Sequence, residues 1–143
     1  MFAQAQPINV VTSAVPFLRI SPDARSGAMG DIGIATSPDA NSQFWNVAKT
    51  PFNEKKGGLS LTYTPWLKDI GVSDVYLAAL NGYYKLDDES AVTASLRYFN
   101  LGNIEFTDFN GNTLSTGKPT EVGIDVGYSR KLSDKFGIGA SLR

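Results

Sequence analysis

From residue 57 onward, the sequence alternates between apolar and polar positions in segments of about ten residues. In the first segment, Leu59, Leu61 and Tyr63 alternate with Ser60 and Thr62. This period of two predicts a β-strand with one apolar and one polar face. Three later segments repeat the pattern, with apolar positions at Val92, Ala94, Leu96 and Tyr98, at Val122, Ile124, Val126 and Tyr128, and at Phe136, Ile138, Ala140 and Leu142. A further strand over Asp74 to Lys85 has two ambiguous faces, because both carry Leu, Ala and Tyr.

The length of the strands and of their connections favours a membrane barrel. Segments of about ten residues match the 9 to 11 residues of a tilted transmembrane strand and are long for a small soluble sandwich. Two connections, Lys85 to Ser90 and Lys131 to Lys135, are short, whereas Gly102 to Thr120 is long and contains the turn signal Asn110-Gly111. Short turns at one end and long loops at the other are typical of outer-membrane barrels.

Tyrosines precede both short turns, at Tyr83, Tyr84 and Tyr128. Tyrosines at one level suggest an aromatic girdle at a membrane interface. A soluble β-sandwich is the alternative, because alternation and tyrosines occur there too. Glycines, serines and charges lie opposite a continuous apolar band, and this favours the barrel. We therefore predict an all-β fold that forms part of a transmembrane antiparallel barrel.

Before residue 57 the sequence is irregular, and the tetrapeptide SPDA occurs twice, at Ser21 to Ala24 and Ser37 to Ala40. Each copy predicts a helix start, because serine caps amide groups, proline tolerates the first helical position and aspartate complements the helix dipole. Gly27, Gly30 and Gly33 lie between the copies and suit close backbone packing. We expect residues 1–56 to form a compact segment with short helical turns, and residues 57–143 to form about five strands.

Composition removes several classes of function. With 13 basic and 14 acidic residues, the net charge of -1 gives no electrostatic reason to expect a nucleic-acid partner. The chain has no cysteine and no histidine. It therefore lacks thiolate metal ligands and the commonest general base, and we expect no cofactor.

Candidate chemical motifs are weak. The GAMGDIG stretch is neither a dinucleotide fingerprint nor a P-loop. Residues 39–43 begin like an EF-hand loop but lack its glycine and its final glutamate. Glu121 and Asp125 lie on one strand face, but four residues separate them by about 13 Å, too far for a carboxylate dyad. We expect them to line the interior of the barrel with Arg97 and Arg143, and we predict no enzyme and no catalytic or metal-binding residue.

The blocks DARSGAMGDIG and SPDANSQFWN, followed by LSLTYTPWL, LNGYYKLDDESAVTASLRYFNLG and VGIDVGYSRKLSDKFGIGASLR, carry a resemblance. They resemble the PorV (LptO) family of outer-membrane proteins in the type IX secretion system of Bacteroidota. That family is similar to the FadL-type barrels, whose N-terminal segment folds into the barrel as a hatch. One departure is Asn46-Val47-Ala48, where the wider family tends to have Asn-Pro-Ala.

The resemblance implies that residues 1–56 form a hatch inside the barrel. The residues expected to shape it are Ser21, Pro22, Asp23, Arg25, Gly27, Gly30, Gly33, Ser37, Pro38, Asp39, Asn41 and Asn46. It also implies a barrel of about fourteen strands. We therefore expect the chain to be an N-terminal piece of such a barrel, and Ala3-Gln4-Ala5 to be the remnant of an export signal.

The function implied by the resemblance is binding rather than bond-breaking. A protein of this kind lies in outer-membrane lipid, docks beside the translocon barrel, collects cargo through its C-terminal signal domain, and passes it to the attachment complex. Contacts are expected on the outward loops, around Lys68 to Ser73 and Gly102 to Pro119. Two alternatives are a FadL-type transporter of hydrophobic small molecules and a soluble, exported adhesive sandwich.

Overall fold

The protein is described here from a computed structural model, which covers residues 15–72 and 74–143. The predicted export-signal remnant at Ala3 to Ala5 lies outside the described residues. The strands are β1 (Gly57–Pro65), β2 (Val75–Lys85), β3 (Ser90–Leu101), β4 (Ile104–Thr107), β5 (Thr113–Gly117), β6 (Thr120–Ser133) and β7 (Phe136–Leu142). No helix among the described residues is long and apolar enough to cross a membrane.

Five of these strands form one antiparallel sheet in the order β1-β2-β3-β6-β7. They coincide with the five strands that the alternation predicts, and the predicted all-β class is confirmed. The sheet is open, with β1 and β7 at its edges. Because every neighbouring pair is antiparallel, the connections β2–β3 and β6–β7 emerge at one end, and the long connection β3–β6 emerges at the other.

The long connection contains a β-hairpin that the sequence interpretation missed. Strands β4 and β5 form a separate two-stranded sheet. Its turn includes Gly111 at φ +84°. Asp108 accepts hydrogen bonds from the amides of Asn110 (2.8 Å) and Asn112 (2.9 Å), and the Asn112 amide bond is the first cause of the lowered pKa of Asp108. The Asn110-Gly111 signal was visible in the sequence and marks this turn.

Residues 15–56, called the N-terminal segment below, lie across one face of the five-stranded sheet. They contain two 3₁₀ helices, Pro16–Arg19 and Val47–Phe52, and two short α-helices, α1 (Ala24–Ala28) and α2 (Ser42–Trp45). We call the side of the sheet under this segment the covered face and the opposite side the outer face.

The two SPDA copies begin their turns differently from the sequence prediction. In the first copy, Asp23 rather than Ser21 is the N-cap of α1, and its carboxylate accepts from the amide of Ser26 at 2.6 Å. In the second copy no helix follows directly, and Asp39 instead accepts from the amide of Asn41 at 2.9 Å. An aspartate side chain reaches these amides from its own loop, so the motif forms one cap and one Asx turn.

Register assigns every strand residue to one face. Across β2, β3 and β6, Asn81, Ser95 and Asp125 lie opposite one another on the covered face. The adjacent row, formed by Leu80, Leu96 and Ile124, lies on the outer face. This resolves the ambiguity of β2, whose residues Leu77, Ala79 and Asn81 are buried on the covered face.

The hairpin turn gives a local prediction. Replacing Gly111 by alanine places a Cβ in the left-handed region at a cost of about 1–2 kcal/mol. Because β4–β5 is a sheet of its own, its amides should exchange with solvent about 5- to 30-fold faster while those of β2 and β3 keep their rates. Ser115→Ala in β5 is the control. Equal acceleration in both sheets would show that the hairpin does not open independently.

Candidate functional site at the covered face of the sheet

A buried ion pair lies at the centre of the covered face. Arg97 of β3 and Asp125 of β6 are each 1% exposed, and Nη2 of Arg97 is 3.0 Å from Oδ2 of Asp125. Ser95 donates its hydroxyl to the same oxygen at 2.7 Å. Arg143 donates its Nε to Oδ1 at 2.5 Å. Both carboxylate oxygens therefore have charged partners, as a buried carboxylate requires.

Arg97 also binds the N-terminal segment at two places. Its Nη1 donates to the carbonyl oxygen of Leu18 at 3.0 Å. The guanidinium carbon lies 5.9 Å from the ring centroid of Phe17 and 5.2 Å from that of Phe44. These distances are within the range of cation–π attraction. One side chain thus joins the first 3₁₀ helix, α2 and the sheet.

Amide side chains make a second set of contacts between segment and sheet. Asn81 donates to Oδ1 of Asn41 at 2.9 Å, and the hydroxyl of Thr93 donates to Oε1 of Gln43. Nε2 of Gln43, Oδ1 of Asn81 and Nε of Arg97 are buried without a hydrogen-bond partner in the described part of the chain. Unpaired buried polar atoms are unfavourable, so this layer fixes the position of the segment more than it adds net stability.

Glycines on β6 and β7 form a seat for the segment. A Cβ built on Gly127 would collide with Gln43, and one on Gly139 would lie 2.8 Å from Cγ1 of Val47. A Cβ on Gly137 would lie 2.8 Å from the carbonyl oxygen of Ala48. Real Cβ atoms do not tolerate such distances, so larger residues there would lift the second 3₁₀ helix off the sheet.

A small apolar cluster closes the covered face near the long connection. Phe17, Leu77 and Phe99 are buried together, with Trp66 packed against them. The rings of Phe17 and Phe99 are stacked, with centroids 6.4 Å apart. Trp66 meets Phe99 edge-on at 5.2 Å. Burial of aromatic rings supplies the main apolar contribution in this layer.

The N-terminal segment also folds back on itself, through contacts between residues 23–36 and residues 45–49. Asp23 accepts from the indole Nε1 of Trp45 at 2.9 Å, and the indole ring covers Gly33 so closely that a Cβ there would overlap it. Lys49 donates to the carbonyl oxygen of Gly33 at 2.6 Å and to Oγ1 of Thr36 at 3.1 Å. Burial lowers the pKa of Lys49, and Asp39 opposes that effect. The doubled SPDA region is therefore tied together by Asp23, Trp45 and Lys49.

The outer face has the opposite character. Ile124 is 66% exposed although its strand neighbour Asp125 is buried. Tyr63, Tyr76 and Tyr98 form one aromatic band near the long connection, with consecutive ring centroids 5.3 and 6.0 Å apart. A second aromatic band on the same face, near the short turns, contains Tyr84 and Tyr128. Tyr83, by contrast, lies on the covered face, so it is not part of this second aromatic band.

The spacing of the two bands can be estimated along β2. Tyr76 and Tyr84 are eight positions apart in that strand, which corresponds to about 26 Å. With a strand tilt of about 40° this becomes about 20 Å, comparable with the apolar band of about 25 Å in outer-membrane barrels. Exposed aliphatic side chains fill the space between the bands. A sheet with this outer face is suited to hydrocarbon.

The family model for type IX secretion system protein PorV matches residues 2–143. The chain belongs to the PorV family. The resemblance inferred from the sequence is thereby confirmed, and the family is that of a type IX secretion system component. The comparison with curated proteins gave no match.

In this member of the PorV family, the predicted interior charges are only partly brought together. Arg97, Asp125 and Arg143 meet in one cluster, whereas Glu121 lies four positions from Asp125 along β6, without an ion pair among the described residues. Arg25 is exposed and reaches Asp39 only at 4.0 Å. No group of three acidic, histidine or cysteine side chains in the described residues could hold a metal ion.

The residues predicted to shape the segment have distinct positions. Ser21 donates to the carbonyl oxygen of Asp23 at 3.3 Å, and Asn46 accepts from the amide of Ala48 at 3.1 Å. Pro22 is buried and Pro38 half-buried, while Ser37 is exposed. Among the glycines, Gly33 is under an indole, Gly30 has φ +79°, and a Cβ on Gly27 would meet nothing within 4 Å. A Cβ on Gly30 would also meet nothing within 4 Å, so close packing is wrong as the reason for both Gly27 and Gly30.

Sequence interpretation missed Gln43, Phe44, Thr93 and the glycine seat. A signal for the seat was present, since VGIDVGY and FGIGA place glycine at alternate positions of the polar face. Such positions suit close approach of another backbone. Nothing in the sequence indicated that α2 and the second 3₁₀ helix would be the partners of these glycines, because the two regions are far apart in the chain.

Asp125 provides a test of the buried cluster. Asp125→Ala leaves Arg97 buried without its partner, so the free energy of unfolding in detergent should fall by about 3–5 kcal/mol. Replacing both residues, as Arg97→Met with Asp125→Leu, should recover most of that loss. Glu121→Ala, on the same strand and face, should change stability by less than about 0.5 kcal/mol. A double variant as unstable as the single one would argue against an unpaired charge as the cause.

Adjacent positions on β7 test the glycine seat. Gly139→Val should displace Val47 and Ala48, whereas Ala140→Val on the outer face should not. Overpacking of this kind costs about 1–3 kcal/mol, so tryptic cleavage after Lys49 should accelerate at least fivefold in the glycine variant alone. The same cleavage rate in both variants would mean that the segment does not depend on the seat.

Proposed function

We propose that this chain acts in the outer membrane as a binding component of the type IX secretion system. It receives secreted cargo from the translocon barrel, through the C-terminal signal domain of the cargo, and passes it to the surface attachment complex. Membership of the PorV family supports the secretion role. The observation that carries the membrane placement is the two-faced sheet, with a buried charged cluster on one side and exposed aliphatic residues between aromatic bands on the other.

In this proposal residues 57–143 form barrel wall, and residues 1–56 form a hatch on its lumenal side. Polar groups such as Arg97 and Asp125 then face the lumen beneath the hatch, while Ile124 and Val126 face lipid. The energetic logic is that lipid penalises exposed charge and the lumen does not. The close seat at Gly127 and Gly139 supports a hatch that stays on the wall, as a binding protein requires.

The β4–β5 hairpin is the surface that we propose for cargo contact. Phe109 at its turn is fully exposed, and Phe106 and Leu114 are 54% and 69% exposed. Exposed aromatic residues grouped on one loop are characteristic of protein interaction sites. The hairpin also has two unpaired strand edges within the described residues, and such edges can accept a strand of another protein.

The first test concerns topology. The short turn at Asp88 should face the periplasm and the hairpin turn at Asn112 the cell exterior, because short turns are periplasmic in outer-membrane barrels. The chain has no cysteine, so single Asp88→Cys and Asn112→Cys variants can be labelled with an impermeant maleimide on intact cells. Strong labelling at position 112 and none at position 88 is expected. The reverse pattern would invert the assignment.

The second test concerns cargo. A Phe106→Ala, Phe109→Ala double variant should lose at least tenfold in capture of cargo bearing the C-terminal signal domain, since aromatic anchors typically contribute about 2 kcal/mol or more. Phe136→Ala, at the opposite end of the sheet, is the matched control. Unchanged capture by the hairpin variant would exclude this surface. Failure of the wild-type protein to capture either cargo or translocon would contradict the binding role itself.

A further inference from the structure

The outer face contains a groove that the proposed cargo function does not use. Its floor is formed by Ala94 of β3. Gly82 of β2 lies directly opposite Ala94, and the side chain of Leu59 covers it. The walls are Leu59, Leu80, Tyr84, Val92, Leu96 and Val126. The groove has a volume of about 740 Å³, within the range of about 300–1,000 Å³ typical of ligand sites. Apart from the hydroxyl of Tyr84, its outward-facing side chains are apolar, so the groove suits a hydrocarbon occupant.

A cation lies at one end of this groove. The ammonium of Lys56 is 5.6 Å from the ring centroid of Tyr84, which forms the groove wall nearest the short turns. No carboxylate among residues 15–72 and 74–143 lies within 4.0 Å of it. A polar hollow beside it also contains Lys85 and the carboxylates of Glu54, Asp87 and Asp88. Of these, Lys85 donates to the carbonyl oxygen of Asn53 at 3.2 Å, and Asp87 accepts from two amides of its own turn.

The length of the groove matches one leaflet of a bilayer. From Leu80 to Tyr84 the chain advances four positions along β2, or about 13 Å. At the strand tilt of about 40° this is about 10 Å of depth, half of the spacing of about 20 Å between the two aromatic bands. A hydrocarbon chain that follows the groove therefore ends at the level of Lys56, where a lysine at a membrane interface meets phosphate.

We propose that the groove and Lys56 together bind one phospholipid of the leaflet near the short turns. One acyl chain lies over Ala94, beside the side chains of Leu59 and Tyr84, and the phosphate contacts the Lys56 ammonium. This inference rests on the membrane placement proposed above. A neighbouring protein would present side chains of varied size and need no cation at the groove's end, whereas a phospholipid has one anionic group at one end of a long apolar chain.

The site can be tested by native mass spectrometry of the full chain, purified in a mild detergent with added phosphatidylglycerol. Lys56→Gln removes the phosphate contact, and retention should fall about fivefold, given about 1 kcal/mol for one lysine at an anionic lipid surface. Ala94→Leu fills the floor and should lower retention by at least the same factor. Lys55→Gln and Ala140→Leu, a neighbouring lysine and an outer-face alanine away from the groove, should retain the lipid as wild type does.

Each outcome separates one part of the inference. Equal retention in all variants would show only non-specific surrounding lipid and would overturn the site. If glycerol 1-phosphate competes as effectively as lipid, Lys56 binds only an anion and the groove binds no acyl chain. That result would also overturn the proposed phospholipid site. Loss of the protein from the outer-membrane fraction would overturn the membrane placement and the lipid site together. Lys56 is exposed at the rim of the groove, so Lys56→Gln should leave folding intact. It therefore tests the site even if Ala94→Leu impairs folding of the protein.

Discussion

The structure depends on the side chain of Arg97, which joins the N-terminal segment to the sheet. Its guanidinium pairs with Asp125, donates to the backbone at Leu18 and lies against the rings of Phe17 and Phe44. A buried guanidinium is tolerable only when such partners surround it. The position of the segment, the burial of Asp125 and the small aromatic cluster beside it all follow from this arrangement.

In most sheets with one covered face, the covered face is apolar and the exposed face is polar; in this sheet the two are exchanged. Its covered face has charges, amides and glycines, and its outer face has exposed leucine, isoleucine and valine. In water the outer face would favour aggregation, because contiguous apolar surface of this extent is rarely left exposed. In a membrane the same pattern is favourable, since side chains meet hydrocarbon while polar groups pair with the segment. The groove at Gly82 and Ala94 lies on this apolar outer face.

Part of the candidate site could be predicted from sequence. Alternation placed Arg97, Asp125 and Arg143 on the polar side of their strands, because side-chain direction in a strand follows a strict period of two. It did not place Gln43 or Phe44, because their partners Thr93 and Arg97 lie about 50 residues further along the chain. It also could not assign the cap of α1, since serine and aspartate both occupy positions from which an N-cap can form.

The sequence by itself determined the five long strands, their apolar and polar faces, the irregular N-terminal segment and the family, because these follow from local periodicity and from contiguous motifs. Tertiary structure decided which strands pair and which residues of the N-terminal segment contact the sheet. Register set Asn81 beside Ser95 and Asp125, resolved the faces of β2 and turned Tyr83 away from the aromatic band. Docking of the segment then selected the glycines that it contacts. Such choices depend on the pairing of distant backbones, and a residue pattern within one strand does not specify its partner.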